Sequence, residues 1–489
     1  MRFPTVWILS GPLLLALAGC RGERPGGGSA EPGTIADGYV HFSPLLSGTT
    51  YLVDRSGRAV HTWESRYAPG VSACLLDNGH LLRTARRNGP PAFSNGGDGG
   101  RVQEFAWNGE LVWEWVMDGD EPLPHHDMAA LPDGDLLLIV WERKSREEAI
   151  RAGRDPGLVD AGGLWPDALL QIRPERPRGG RVVWEWHVWD HLVQGRNARL
   201  RNFGSVAEHP ELVDINGSRP TGFTDEAIRK LKAIGYLAGH TTRTDGLADF
   251  MHTNSVAYNQ RLDQIALSVS GFNEIWVLDH ATTTAEAASH AGGRAGRGGD
   301  LLYRWGNPAV YGRGTGGDQK LFGQHDARWI PEGFPGAGNV MVFNNGAGRP
   351  GKDFSSVLEI APPLRPDGTY TMQAGRPFGP DRPAWEFSGG DRGSFLAEFI
   401  SGAERLPNGN TLVCAGPTGR IFEVTPGGRT VWEFESPYSG DAPNPHGDPP
   451  RAIFRANFIP KSHPAVANRN LKPLDPQPPA RASASRPPS

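Results

Sequence analysis

Apolar and polar residues alternate with a period of two in short runs along most of this chain, and the runs come in pairs separated by turn residues. Ile421-Phe422-Glu423-Val424 is followed by Thr425-Pro426-Gly427-Gly428 and then by Val431-Trp432-Glu433-Phe434. A period of two puts alternate side chains on opposite faces of a strand, and a Gly/Pro turn joins two strands into a hairpin. The second strand of this hairpin carries a tryptophan signature that recurs. Its copies are His61-Thr62-Trp63-Glu64, Val112-Trp113-Glu114-Trp115, Val183-Trp184-Glu185-Trp186, Tyr303-Arg304-Trp305-Gly306, Ala384-Trp385-Glu386-Phe387 and Val431-Trp432-Glu433-Phe434. Another hairpin precedes most of them, turning on Pro/Asp/Asn-Gly. Leu131-Pro132-Asp133-Gly134 leads into Leu136-Leu137-Leu138-Ile139, and Leu406-Pro407-Asn408-Gly409 leads into Thr411-Leu412-Val413. Leu76-Asp77-Asn78-Gly79 and Ile330-Pro331-Glu332-Gly333 are looser copies, and 256–268 is a fifth with Tyr258-Asn259 at its turn. Asn-Gly and Asp-Gly reach positive φ at little cost, which suits a tight turn.

Two hairpins per signature make a four-stranded sheet, and six signatures predict an all-β chain folded as a six-bladed β-propeller. No sixth inner hairpin is visible after Trp432. The ring is therefore expected to close with strands from the two chain ends sharing one blade, which removes the sheet edges. The signatures are unevenly spaced, so some blades carry insertions. The largest, 187–249, holds one small helix. Thr224 caps it, Asp225 and Glu226 suit its first turn, Ala227, Ile228, Leu231 and Ile234 form an apolar face, and Gly235 stops it. It is expected to cover part of one propeller face.

Three histidines fall in one register of the repeat. His126-Asp127 lies six residues before Pro132, His325-Asp326 six before Pro331, and His252 six before Tyr258, taken as filling the proline slot. Rotation about a propeller axis relates equivalent positions, so the three are expected to converge on one central site. Imidazole binds anions when protonated, ligates metals when neutral, and attacks electrophiles.

A net charge of −4 over 489 residues, with no basic stripe, argues against a nucleic-acid partner. The apolar run from Val6 to Leu17 is too short to span a bilayer core of ~30 Å and reads as a secretory signal. Leu17-Ala18-Gly19-Cys20 resembles the bacterial lipoprotein cleavage box. That resemblance implies lipidation of Cys20, a periplasmic protein touching the membrane only through its lipid anchor, and, with Arg21 in place of Asp, the outer membrane. The expected organisation is a signal peptide over 1–20, a flexible tether over 21–36, the propeller over 37–463 and a disordered Pro/Ala/Ser tail over 464–489. Cys74 and Cys414 stand in different registers, so no disulfide is expected between them. The string Gly346-Ala347-Gly348-Arg349-Pro350-Gly351 matches a dinucleotide fingerprint but opens no helix, and that phosphate site needs one. No Gly-x-Ser-x-Gly elbow, paired-Cys zinc motif or Walker loop is present, and no cofactor is expected.

The segments Asp249-Phe250-Met251-His252-Thr253-Asn254-Ser255, Gln324-His325-Asp326-Ala327 and Phe343-Asn344-Asn345-Gly346-Ala347-Gly348-Arg349 resemble the bacterial arylsulfate sulfotransferase family. The resemblance spans about 38–460. It implies a six-bladed periplasmic propeller that passes a sulfuryl group from one phenol to another through a sulfohistidine. It further implies that His252 and His325 bind the sulfuryl oxygens, that Asn254 helps to orient them, that Arg349 holds the anion, and that Asn345 is among the substrate-binding residues. Cationic and N–H donors around a developing oxyanion suit that chemistry. One departure matters. Aligned on the Phe422-Glu423-Val424 ending, the slot of the family's nucleophilic histidine holds Arg420, and a guanidinium binds anions without forming a covalent intermediate. His126 or His446 could substitute. Arg451 and Arg455 could add positive charge, but read first as plain surface residues. Three readings stand side by side: an arylsulfotransferase-like enzyme acting on an aryl sulfate or phenol, an anion or sulfated-ligand binding propeller without turnover, and a metal site made by His126, His252 and His325.

Overall fold

Each tryptophan signature forms the outermost strand of a four-stranded antiparallel sheet, and there are six such sheets. The computed structural model describes residues 34–87, 93, 95–117, 121–218, 222–391, 393–440 and 451–479. The innermost strands of blades 1 to 6 are Ile453–Pro460, Pro69–Leu75, Leu123–Ala130, Thr253–Asn259, His325–Trp329 and Gly402–Arg405. Each touches the next in a closed ring. The architecture is the six-bladed all-β propeller expected from the repeat.

The missing sixth hairpin has a simple cause. In blade 1 the inner pair is Ile453–Pro460 against Gly38–Pro44, with Gly38 opposite Pro460 and Val40 opposite Phe458. The two strands come from opposite ends of the chain, so no turn joins them. The pairing also leaves no open edge where the ring closes.

The signatures recur because each tryptophan bonds the next blade. Trp63 Nε1 donates to Ala106 O at 3.2 Å, Trp113 to Gly179 O at 2.8 Å, and Trp184 to Thr282 Oγ1 at 3.1 Å. Trp305 donates to Pro380 O at 2.8 Å, Trp385 to Pro426 O at 2.8 Å, and Trp432 to Arg55 O at 2.7 Å. Every acceptor lies in the outer turn of the following blade, and the last bond returns to blade 1. An indole presents a large apolar body to the gap between sheets and a single donor at its rim, which fits this position.

The inner strands are bulged where they approach the axis. Register shifts interrupt the inner strands of blades 2 to 5. Val71, His126, His252, Asp326, Ile400 and Ser401 take left-handed φ of 74°, 53°, 48°, 58°, 46° and 88°. Such backbone costs about 1–2 kcal/mol at a non-glycine residue, so surrounding contacts must hold it.

Those contacts also correct the histidine register. Asp127 Oδ2 accepts from Val256 N of the next blade at 3.0 Å, Ser255 Oγ from Ala327 N at 2.9 Å, and Asp326 Oδ2 from Ala403 N at 3.0 Å. Asp127, Ser255 and Asp326 are therefore equivalent, and so are the residues before them: His126, Asn254 and His325. His252 stands two residues earlier. The blade 4 strand runs through Tyr258 to Asn259, which pairs with Gln264, so its turn falls later than Tyr258-Asn259.

The insert between blades 3 and 4 contains the expected helix, α1, Asp225–Ala233. The Thr224 side chain accepts from Ala227 N, and Gly235 follows at φ 75°. Leu231, Tyr236 and Leu237 pack on Leu45, Val71, Ile400, Ala452 and Phe454, so this segment covers one mouth of the axis. Beyond residue 463, the expectation of a disordered tail is corrected as far as residue 479. Pro464–Ala467 is a helical turn, Leu474 N donates to Ala59 O at 2.8 Å, and Arg469 stacks 4.1 Å above Trp107. Apolar Ala465, Val466, Leu471 and Leu474 drive this docking. Cys74 and Cys414 are both free thiols. Cys20 and the rest of the leader and most of the tether lie outside the described residues.

Candidate functional site

Under the covered mouth three imidazoles gather around Phe454. The His126 and His252 rings stand 4.6 Å apart, edge to face, and the His126 and His325 rings each lie 6.0 Å from the Phe454 ring. Convergence holds although only two of the three share a register; His252 reaches the axis from the segment just before its strand.

Each ring is held differently. His252 Nδ1 bonds Asp249 Oδ2 at 2.6 Å, and Asp249 is itself fixed by Asn95 Nδ2 at 2.6 Å, Trp141 Nε1 at 3.2 Å and His252 N at 3.0 Å. Burial alone would lower the His252 pKa, but the Asp249 carboxylate outweighs it and the value rises above the usual 6.5. A carboxylate only accepts, so Nδ1 carries the proton and Nε2 is left toward the axis.

His325 Nδ1 faces Asn345 Oδ1 at 2.7 Å and Gly323 O at 3.0 Å. The Asn345 amide donates to Ala397 O and Ile400 O, both at 2.8 Å, which fixes its oxygen toward the histidine. Both partners of Nδ1 accept, so Nδ1 bears the hydrogen and Nε2 carries the lone pair. Burial pushes this imidazole down to about 4, against the Asn345 bond and with the help of charge on His252. At neutral pH His325 is a neutral ring with a free Nε2.

His126 is a connecting residue. Its Nε2 meets Tyr236 OH at 2.6 Å and its Nδ1 meets His125 Nδ1 at 2.7 Å. His125 lies flat on Trp141 with ring centres 3.9 Å apart, and its Nε2 is 3.3 Å from Asp167 Oδ1. Burial, then the neighbouring histidines, hold His126 well below its ordinary pKa. Burial raises Tyr236, which stays a phenol. The consistent donor order runs from Tyr236 through His126 to His125. Both His126 nitrogens are thus engaged by protein partners.

The remaining candidates divide. Asn254 stands in the register of His126 and His325: its Nδ2 donates to Gln324 O at 2.8 Å, and its buried Oδ1 has no protein partner. Asn345 serves by orienting His325. Arg349 lies in the loop after Asn345, bonds Ser356 Oγ at 3.0 Å and stacks 4.0 Å over Phe354. Arg420 is not brought to the histidines. It begins the third strand of blade 6, where Nε bonds Glu433 Oε1 at 2.6 Å and the guanidinium covers Phe422. His446 lies outside the described residues.

Arg455, expected at the surface, is on the axis. It pairs with Asp127 Oδ2 at 2.9 Å and Asp326 Oδ1 at 3.1 Å, and Arg328 joins Asp326 at 2.7 Å and Glu404 at 3.0 Å. This belt ties blades 1, 3, 5 and 6 together beneath the imidazoles. The sequence reading missed Asp249, His125 and Tyr236. Asp249 had a signal, since it sits three residues before His252; Tyr236 had none, because only folding brings the insert over the axis.

The comparison with protein families turns on the same stretch of chain. A family model described as Arylsulfotransferase (ASST) matches residues 43–360, which carry His126, Asp249, His252, Asn254, His325, Asn345 and Arg349. The chain belongs to the arylsulfotransferase family. The matched residues end before Arg420 and His446. No curated protein matches the chain in sequence. Among solved structures, it is similar to a Bacteroides caccae protein of unknown function, at 9% identity and TM-score 0.42 over 87% of this chain and 99% of that one. It is also similar to the Pseudomonas aeruginosa periplasmic gluconolactonase PpgL, at 12% and 0.37 over 86% and 99%. Kuenenia stuttgartiensis hydrazine synthase follows at 13% and 0.35 over 66% and 68%. Likenesses this distant say nothing about this site.

Proposed function

We propose that this arylsulfotransferase-family protein transfers a sulfuryl group from an aryl sulfate to a phenol at the propeller axis, with His325 as the attacking group. The observation that carries the reading is the His325 tautomer: Nδ1 faces two acceptors, the ring is neutral and Nε2 carries the lone pair, while the Asp249 carboxylate raises the pKa of His252 in the same cluster. Nε2 donates its lone pair to sulfur and the S–O(aryl) bond breaks. The departing phenolate takes its proton from the His252 imidazolium. In the second half the acceptor phenol gives its proton to His252, its oxygen bonds sulfur, and the N–S electron pair returns to Nε2. Imidazolium and amide donors around the sulfuryl oxygens favour the charged transition state. Arg420 takes no part in this scheme.

Incubation with an aryl sulfate and peptide mass spectrometry tests it. A sulfuryl adduct on His325, turnover lost in His325→Ala, and turnover lowered ~10²–10³-fold in His252→Ala are the expected results. An adduct on another residue, or full turnover in His325→Ala, overturns the assignment. The covered mouth favours a second reading, an anion-binding propeller without turnover; aryl sulfate bound tightly with no phenol released would decide for it. We also propose that Cys20 is lipidated and anchors the chain at the outer membrane, facing the periplasm. Cys20→Ser should release it into the soluble periplasmic fraction.

A further inference from the structure

A second histidine cluster lies away from the axis, at the root of the insert. His191 Nδ1 and His290 Nδ1 both converge on Asp300 Oδ1, at 2.8 and 2.7 Å. The three donor atoms lie within 4.8 Å of one another. His191 is fully buried, and its Nε2 sits 2.8 Å from Ala287 O. A carbonyl only accepts, so Nε2 bears a hydrogen, and Nδ1 is turned to the Asp300 carboxylate. His290 Nδ1 approaches the same carboxylate oxygen from the other side, so three potential metal-ligand atoms gather at one point.

The surroundings are those of a held ligand. The Nε2–H···O=C bond is the kind that fixes the tautomer and orientation of a metal-binding imidazole. Trp186 lies parallel to the His191 ring at 5.7 Å and donates to Gly299 O. Gly299 gives the ring its room: a Cβ there would stand 2.6 Å from His191 Nε2 and 2.0 Å from Ala287 O. The side that is not packed opens through His290, 61% exposed, to a cleft of about 360 Å³ that Trp189, Arg201, Asn202 and His209 help to line.

We propose that His191, His290 and Asp300 bind a divalent transition-metal ion of the zinc class, with a fourth position left for water or a small ligand from the cleft. Two imidazoles and one carboxylate are a common donor set for such ions, and three protein ligands leave zinc an open position. Bonds of ~2.0–2.1 Å in a tetrahedral site put donors ~3.3 Å apart, so exposed His290 swings outward by roughly half an ångström. The ion joins the start of the insert to the long outer loop of blade 4, elements about a hundred residues apart in sequence.

Zinc titration of the full chain, stripped with a chelator and followed by calorimetry and elemental analysis, tests the site. One zinc per chain is expected. His290→Ala, at an exposed position, should weaken binding at least ~10-fold, and Asp300→Asn should do the same. Cobalt in place of zinc should give the visible bands of a tetrahedral ion, lost in both variants. No bound zinc in the wild type, or equal affinity in His290→Ala, overturns the proposal. Binding lost in His252→Ala but kept in His290→Ala also overturns it, since the ion would then lie on the axis.

Discussion

Acidification should reveal how much folding costs the buried imidazoles, and His41 isolates the effect because it takes no part in the proposed chemistry. His41 lies on the strand Gly38–Pro44, is 1% exposed, and has an Nε2 without a protein partner. Burial lowers its pKa to about 4. The unfolded chain binds a proton near 6.5 and the folded chain does not until about 4, so stability falls as pH drops through that window. The slope is about 1.4 kcal/mol per pH unit and group, or roughly 2 kcal/mol between pH 6.5 and 5. His325, also at about 4, and His126, well below its ordinary value, add slopes of the same sign. Glu404, raised by burial to about 7, opposes one of them, because the folded chain holds its proton first. His252 and His187 are raised by carboxylate partners against their burial; their stability is complete below 6.5 and is lost only as pH rises through their folded pKa values. Total stability is therefore expected to peak near pH 6.5. The clean measurement is His41→Asn against wild type by urea unfolding, followed by tryptophan fluorescence at pH 6.5 and 5. Asparagine does not titrate, so the penalty of the substitution should shrink by about 2 kcal/mol at pH 5. Parallel losses in both proteins would refute the reasoning, since His41 would then have the same pKa folded and unfolded.

Three further outcomes are expected. Trp432→Phe keeps an aromatic ring between blades 6 and 1 but removes the donor to Arg55 O; it should cost about 1 kcal/mol in denaturant unfolding, and Trp432→Ala about 3–5. Arg455→Ala leaves Asp127 without its ion-pair partner and weakens the pairing of Asp326, so the unfolding midpoint should drop by the equivalent of about 3–5 kcal/mol. Tyr236→Phe deprives buried His126 Nε2 of its partner; it should lower stability by about 1–3 kcal/mol and speed hydrogen exchange in α1, and an unchanged exchange pattern would separate the cover from the histidines.

The repeat determined the architecture on its own. A period of two, Gly-rich turns and one tryptophan per unit leave few alternatives to blades, and the absence of a sixth inner hairpin already implied that the chain ends share a sheet. The α1 boundaries were equally local: a threonine cap, acidic first-turn residues and a glycine stop act within a few residues of one another. The resemblance named His252, His325, Asn254, Asn345 and Arg349 because these stand in short segments. What the sequence could not supply was registration in three dimensions. His252 was assigned to the histidine register through Tyr258, yet bonds between neighbouring strands put Asn254 in that place. A count along the chain does not see a bulge, because the extra residue is absorbed by left-handed backbone that only tertiary contacts hold. Arg455 and Arg420 exchanged roles for a similar reason. Both are arginines near the C-terminal end, and only strand order reveals that one belongs to the innermost strand of blade 1 and the other to the third strand of blade 6. The raised pKa of His252, the neutrality of His325 and the Tyr236–His126 bond depend on partners brought together from different blades and from the insert. Pattern fixes local conformation, since its causes lie within a turn or a strand; protonation state depends on burial and on what stands across the gap, and only the closed ring sets those.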